Sequence, residues 1–404
     1  MRAARLLALC CTLFVTSVPA QDFLDQVGET LSFQAFDNNL RARLSGTLDL
    51  EYYRWDALFP PGLFDAEGNS LFNPRLSVFL DVQAGPHVYF FSQVRLDRGF
   101  DPTDEGVGFR ADEYALRVSP WADGRLSIQV GKFAAVTGNW NPRHLSWDNP
   151  FITAPLLYED VTVLHDEDAL PEESIRRREL VVEKWEYLPL IWGPSYATGA
   201  SVTGRLGKFD YAAEIKNAAL TSRPESWDLT QIGFEHPTVN ARVGMRPSER
   251  WNFGFSASKG SFFRPEAEPG LPAGRDRGDY SHIVLGQDVS FAWRYLQVWA
   301  EAYQVRFELP VGGDADAFAY YIEAKYKFTP QFFGALRWNQ QFFGEIDAAD
   351  GGEFQWWHDT SRLDTALIYR LTAHTQLKVQ YNLELGDRRG GSGHTFATQL
   401  TVRF

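Results

Sequence analysis

From Leu40 onward, apolar and polar residues alternate over stretches of roughly ten positions, and each stretch breaks at Gly, Pro, Asn or Asp. In the first stretch Ala42, Leu44, Gly46, Leu48, Leu50 and Tyr52 share one face, and Arg41, Arg43, Ser45, Thr47, Asp49 and Glu51 share the other. The last stretch sets Phe396, Thr398, Leu400, Val402 and Phe404 against Thr395, Ala397, Gln399, Thr401 and Arg403, so alternation runs to the final residue. A period of two is that of a strand with one apolar face. The pattern predicts strands at 40–53, 73–83, 87–97, 111–119, 125–133, 197–206, 209–217, 239–246, 251–259, 282–293, 295–305, 318–328, 332–342, 362–370, 375–385 and 395–404.

The connections alternate in length. Short ones fall at 84–86, 120–124, 207–208, 247–250, 294, 329–331 and 371–374, and long ones lie between. An even strand count, short turns at one end and long loops at the other is the signature of a transmembrane antiparallel β-barrel. The expectation is therefore an all-β chain of about sixteen strands, with short periplasmic turns, long extracellular loops and both termini on the short-turn side. A charged face opposite an apolar one suits a wall with lipid outside and a wet lumen inside. No stretch after the N-terminus reaches the roughly 18 apolar residues of a membrane helix. The mean hydropathy of −0.30 fits strands whose two faces cancel.

The N-terminus carries a secretory leader over residues 1–20. Arg2 and Arg5 form its charged start, Leu6 to Val15 its apolar run, and Val18-Pro19-Ala20 its small-residue cleavage site. Both cysteines, Cys10 and Cys11, lie inside it, so the mature chain holds no disulfide, thiolate ligand or thiol nucleophile. Removal of Arg2 and Arg5 takes the formal charge from −13 to −15, which argues against nucleic acid. Residues 21–39 have no clean period and read as a short periplasmic or plug segment, and the barrel occupies 40–404. The aromatic content of 15% is enough for two interfacial girdles.

The leader, the turn–loop rhythm and the terminal Leu400-Thr401-Val402-Arg403-Phe404 resemble Gram-negative outer-membrane porins. Ser127-Ile128-Gln129-Val130-Gly131-Lys132-Phe133, with Gly138 soon after, and Gly244-Met245-Arg246-Pro247-Ser248 are similar to segments of the phosphate-selective porin O/P-like group. The resemblance implies location in the bacterial outer membrane, ion or solute transport, and homotrimers as the assembly to expect. It also implies that Phe404 belongs to the signal read by the barrel-insertion machinery. Candidate lumen charges carry both signs, without the lysine-rich ladder that phosphate selectivity requires.

Candidate chemistry concentrates in the 134–196 segment, which is too long for a structureless connection unless it has a function. Trp140, Arg143, His144, Trp147 and Asp148 combine ring faces with hydrogen-bonding groups, as a constriction for saccharides or organic acids would. On the strands, Arg95, Arg242, Arg246, Asp288, Glu301 and Arg337 fall on the lumen side with Arg43, Asp49, Arg75, Asp81, Arg205, Glu214, Arg362, Lys378, Glu384 and Arg403. They either create a transverse field in the pore or pair across neighbouring strands. Arg176-Arg177-Arg178 reads as solvated or paired with Glu172 and Glu173. No nucleophile-elbow serine and no His-Glu-x-x-His pattern is present, and Asp101, Asp104 and Glu105 lack an EF-hand arrangement. The chain reads as a passive porin for small hydrophilic solutes, not an enzyme, with no cofactor and no metal site. The rivals are a channel specific for anions or saccharides, a polysaccharide exporter, an outer-membrane hydrolase and a purely structural barrel.

Overall fold

The computed structural model describes residues 17–56, 68–97, 108–178, 186–386 and 393–404. The start and apolar run of the leader, both cysteines, and Asp101, Asp104 and Glu105 lie outside the described residues.

Sixteen antiparallel strands form one sheet: β1 (Leu40–Trp55), β2 (Ser70–Ala84), β3 (Val88–Asp97), β4 (Gly108–Val118), β5 (Ser127–Lys132), β6 (Thr198–Leu206), β7 (Phe209–Lys216), β8 (Thr238–Ser248), β9 (Trp251–Ser261), β10 (Ser281–Trp293), β11 (Leu296–Glu308), β12 (Asp314–Lys327), β13 (Phe332–Phe343), β14 (Thr360–Arg370), β15 (Thr375–Gly386) and β16 (Gly393–Arg403). Each pairs with the next, and β16 pairs back to β1 with Leu400 opposite Leu50 and Arg403 opposite Thr47. That closure removes the apolar edge that the last strand would otherwise expose. The barrel agrees with the alternation strand for strand. Several strands run further at the long-loop end than their apolar faces suggest. In β11 and β12 the extension is held by Arg306, which pairs with Asp314 at 2.8 Å and Asp316 at 2.7 Å beyond the apolar band.

The outward positions form that band. Leu48, Leu50, Val243, Phe253, Ile322, Leu336, Leu367 and Leu377 are all exposed on the outer wall. A continuous apolar belt of this kind is unfavourable in water and is satisfied by hydrocarbon. Leu336, 58% exposed, makes the point testable. Leu336→Arg should lower barrel stability by about 2–4 kcal/mol if the site lies near the bilayer midplane, read from reversible unfolding in lipid vesicles.

The seam seats the aromatic at position 404. The Phe404 N–H donates to Gly46 O at 3.0 Å, and Gly46 N donates to Phe404 O at 3.1 Å. A Cβ on Gly46 would stand 2.5 Å from Cζ of the Phe404 ring, so only glycine lets that ring lie flat on the wall. Past Phe404 the same edge of β1 is taken by the short strand Ser32–Ala35, with Ser32 opposite Arg43. Helix α1 (Ser17–Thr30) leads into it and fixes Asp25 2.7 Å from His374 Nε2 at the β14–β15 turn. The mixed pattern of 21–39 gives no sign of this pairing, because partners on β1 and the turn supply the order. The helix also spans residues 17–20, which the sequence assigns to the leader.

The interior is not wet throughout. At the long-loop end of β10–β13 the inward positions are Val284, Val305, Phe307, Ala315, Ala317, Ala319 and Phe343, all buried in one apolar cluster. The connection between β5 and β6 supplies Val163, Leu164, Leu188, Leu190 and Ile191 to the same cluster. Its own hairpin, Val161–His165 with Tyr187–Pro189, fills this sector. The expectation of a uniformly wet lumen gives way here because hydrocarbon from the connection replaces water against the wall.

Candidate functional site: a gap between the wall and the long connection

The 133–197 connection follows the inner wall, and backbone groups along it are taken up by inward side chains of several strands. Ala134 N donates to Glu113 on β4 at 2.8 Å, Val136 N to Glu214 on β7 at 3.3 Å, and Gly138 N to Ser256 on β9 at 3.4 Å. The carboxylate of Glu301 on β11 then accepts from Asn139 N, from Trp140 N at 2.7 Å and from the Tyr158 hydroxyl at 2.5 Å. Gly138 has φ +71° and packs against Tyr303 and Glu301, so a side chain there would block the crossing. Further on, Ser146 O accepts from Lys378 on β15, Ile152 N donates to Gln380 at 2.5 Å, and Leu156 N donates to Asn339 on β13 at 3.2 Å. An unmade bond would leave a buried N–H without water, so each wall side chain sets the path of the segment it receives.

Ion pairs fasten the same segment. Arg143 donates to Glu323 at 2.5 Å and to the Tyr321 hydroxyl at 3.1 Å, and stacks 4.4 Å over Trp299. Arg337, fully buried, pairs with Asp364 at 2.7 Å, donates to Thr153 O and Ala154 O, and lies 4.3 Å over the Phe151 ring. Arg362 pairs with Glu159 at 2.8 Å and Asp364 at 2.8 Å. Burial is the largest influence on the Glu159 carboxyl and pushes its pKa up, with Arg362 opposing.

Between the connection and strands β2–β4 and β16 lies a gap. It is a cavity of about 110 Å³ lined by Arg75, Arg95, Arg110 and Gln399 on the wall. The connection contributes Trp140, His144, Asn149, Ile152, Tyr158 and Trp192. Arg75 pairs with Glu51 at 2.6 Å and Asp49 at 3.3 Å, Arg95 pairs with Asp97 at 3.0 Å and Asp112 at 3.3 Å, and Arg110 also pairs with Asp112. The three arginines keep 12–15% of their side-chain surface while the four carboxylates keep 0–2%. The guanidinium groups therefore face the gap and the acids stand behind them. Trp140 stacks on Tyr158 with centroids 4.6 Å apart, giving the opposite side an aromatic surface.

His144 adds no charge to it. Its Nε2 lies 2.6 Å from the Tyr196 hydroxyl and its Nδ1 2.5 Å from Asn141 O, and burial pushes its pKa down to about 4. The imidazole is neutral above that value, so single-channel conductance should show no step assignable to His144 between pH 5 and 8, and His144→Gln should leave the pH profile in that window unchanged.

The sixteen-stranded barrel and its inward-folded connection can be set beside known proteins. No family model matches the sequence, and no curated protein matches it. Solved structures do. The outer membrane channel DcaP of Acinetobacter baumannii aligns with a TM-score of 0.57 at 11% identity, over 92% of this chain and 99% of that one. An anion-selective porin from Comamonas acidovorans aligns at 0.53 and 10% identity, over 90% and 100%. The trimer form of OmpT, an outer membrane protein of Vibrio cholerae, aligns at 0.53 and 9% identity, over 90% and 99%. The fold is that of the outer-membrane porin barrel. At such identities the likeness is one of fold.

Within this porin-type barrel the residues singled out by sequence separate into three places. Trp140, His144 and Arg95 meet at the gap. Arg143, Glu301 and Arg337 fasten the connection, and Arg242 pairs across strands with Asp288 at 2.8 Å and Asp210 at 2.8 Å. Trp147 lies under Arg403 toward the short-turn end, Asp148 is exposed, and Arg246 stands half exposed 3.6 Å from Asp210. Arg176 and Arg177 pair with Glu172 and Glu173 at 3.2 Å, and Arg178, in the left-handed region, ends their short helix.

Arg110 escapes sequence reading for a physical reason. The β3–β4 register shifts between Gln93 and Val94 and leaves Asp112 unpaired, so Asp112 and Glu113 in succession face inward, and Arg110 with them. Counting in twos from the apolar face of β4 cannot follow such a bulge. Arg75 keeps strict parity and is found by counting, but its place opposite Trp140 depends on the path of the connection.

Proposed function

We propose that this chain is a passive diffusion channel of the outer membrane, in which the 133–197 connection narrows the lumen to the arginine-lined gap and small hydrophilic anions are favoured. The observation that carries this reading is the orientation of Arg75, Arg95 and Arg110: their cationic ends face the gap and their partner acids are buried behind them. A cationic constriction raises the local anion concentration and lowers that of cations. Phosphate is one candidate anion among several, since nothing in the gap selects a tetrahedral ion over a carboxylate.

Reversal potentials across planar bilayers in a potassium chloride gradient test it. The wild-type channel should favour chloride, and the triple variant Arg75→Gln, Arg95→Gln, Arg110→Gln should shift toward cations because the buried acids then dominate. An unchanged reversal potential would remove the gap from the conduction path, and absence of current would favour the structural or hydrolase readings.

A second reading rests on Trp140, Trp192 and Tyr158 in the same gap. Such rings stack on sugar faces, so a saccharide-specific channel would show saturable block by its sugar, whereas a general porin would not. Homotrimeric assembly, supported by the trimer form of a fold relative, is checked by cross-linking in membranes.

A further inference from the structure

Several lumen arginines have carboxylate partners, as Arg337 has Asp364, Arg242 has Asp288 and Arg143 has Glu323. Lys216 and Lys378 instead donate to backbone carbonyls of the connection. One group gathers several cations that have no carboxylate partner. Toward the short-turn ends of β12, β14, β16 and β1, the inward residues Lys325, Arg370, Arg403 and Arg43 form no salt bridge among the described residues. Arg370 donates only to the neutral Gln376 amide at 3.3 Å, and Arg403 to the carbonyl of Ala373 at 3.0 Å.

Neutral rings hold them in place. Arg403 lies 4.0 Å and Arg370 5.4 Å from the Trp147 ring, while Arg370 and Lys325 lie 5.1 Å and 4.9 Å from the Phe333 ring. Arg370, Arg43 and Asp148 act on Arg403, and Arg370, Arg143, Lys378, Asp148 and Glu323 act on Lys325. Glu323 is already bound to Arg143. The exposed Asp148 of the connection acts on Arg403 and Lys325, and Asp81 stands opposite Arg43 in the β1–β2 register. Gathering like charges without partners is unfavourable unless an anion completes them. A guanidinium stacked on a ring keeps its in-plane N–H groups free to chelate two oxygens at once.

We infer that this patch, at the periplasmic mouth beneath Trp147, is a binding site for a compact oxyanion bearing two or more negative charges, entering from the short-turn side. It is separate from the arginine gap: Arg403 is four residues, about 13 Å, nearer the short-turn end of β16 than Gln399. The proposal takes its orientation from the channel reading, but the binding does not require conduction.

The test is a titration of the full, detergent-folded chain with pyrophosphate and with citrate, read by tryptophan fluorescence against Trp147→Phe. Both anions should give a saturable change that Trp147→Phe removes and that strengthens as ionic strength falls. The double variant Arg370→Gln, Arg403→Gln should weaken binding about tenfold or more through loss of charge-assisted bonds. It removes repulsion and so should fold, which its heat-modifiable gel mobility checks. Affinity no better than that for chloride, or equal affinity in the double variant, would overturn the site. In bilayers, pyrophosphate should block from the short-turn side only, and block of equal strength from both sides would also overturn it. A barrel that binds but passes no current refutes the channel reading and leaves the site standing. A barrel that conducts but does not bind does the reverse.

Discussion

Arg337→Ala should be the most damaging single substitution in the lumen, lowering stability by about 3–5 kcal/mol as expected for a broken buried ion pair. The guanidinium is fully buried, pairs with Asp364 at 2.7 Å, lies 3.6 Å from Glu323, and donates to two carbonyls of the connection. Its loss leaves Asp364 to Arg362 and the neutral amides around it, and leaves Thr153 O and Ala154 O with fewer donors. Arg337→Lys should recover less than half of the loss, because one ammonium cannot reach both the carboxylate and the carbonyls in that fork geometry. Urea unfolding in lipid vesicles measures both variants. Wild-type stability in Arg337→Ala would mean that the connection is held elsewhere.

Glu301→Ala should act on conduction more than on the barrel. One carboxylate receives two backbone N–H groups and the Tyr158 hydroxyl, and hydrogen bonds to a charged group are worth about 1.5–3 kcal/mol each. Without them the 138–158 crossing detaches from β11, Trp140 leaves the gap, and single-channel current should rise severalfold with added noise. Glu301→Gln keeps an acceptor but adds a donor facing those N–H groups, so it should fall between wild type and alanine. A current unchanged in both variants would show that the crossing does not limit flow.

The strands were legible because lipid outside and polar groups inside impose a period of two at every turn of the wall. The dry sector was not legible, because the hydrocarbon that covers the inner wall there comes from the distant connection and not from the strands themselves. The path of the connection was not legible. Its tethers join Trp140 to Glu301 and Ile152 to Gln380, residues 161 and 228 positions apart. Glu301 and Arg337 look like pore-field charges by their parity alone, yet their partners make them fasteners. Arg110 was hidden by a bulge, and the cations around Trp147 stood out only once the structure showed which charges lacked partners.

On the channel reading, solutes pass the Arg75–Arg95–Arg110 side of the connection, while the β10–β13 side is closed at its long-loop end by packed hydrocarbon. In a Cys10→Ser, Cys11→Ser background, which removes both cysteines of the sequence, a single introduced cysteine can report on each side. Bilayer current should be followed while a negatively charged methanethiosulfonate is added to Arg110→Cys and to Ala319→Cys, the latter fully buried in the apolar sector. Current should fall promptly in Arg110→Cys and stay constant in Ala319→Cys. A silent Arg110→Cys channel beside a reactive Ala319→Cys channel would contradict the account.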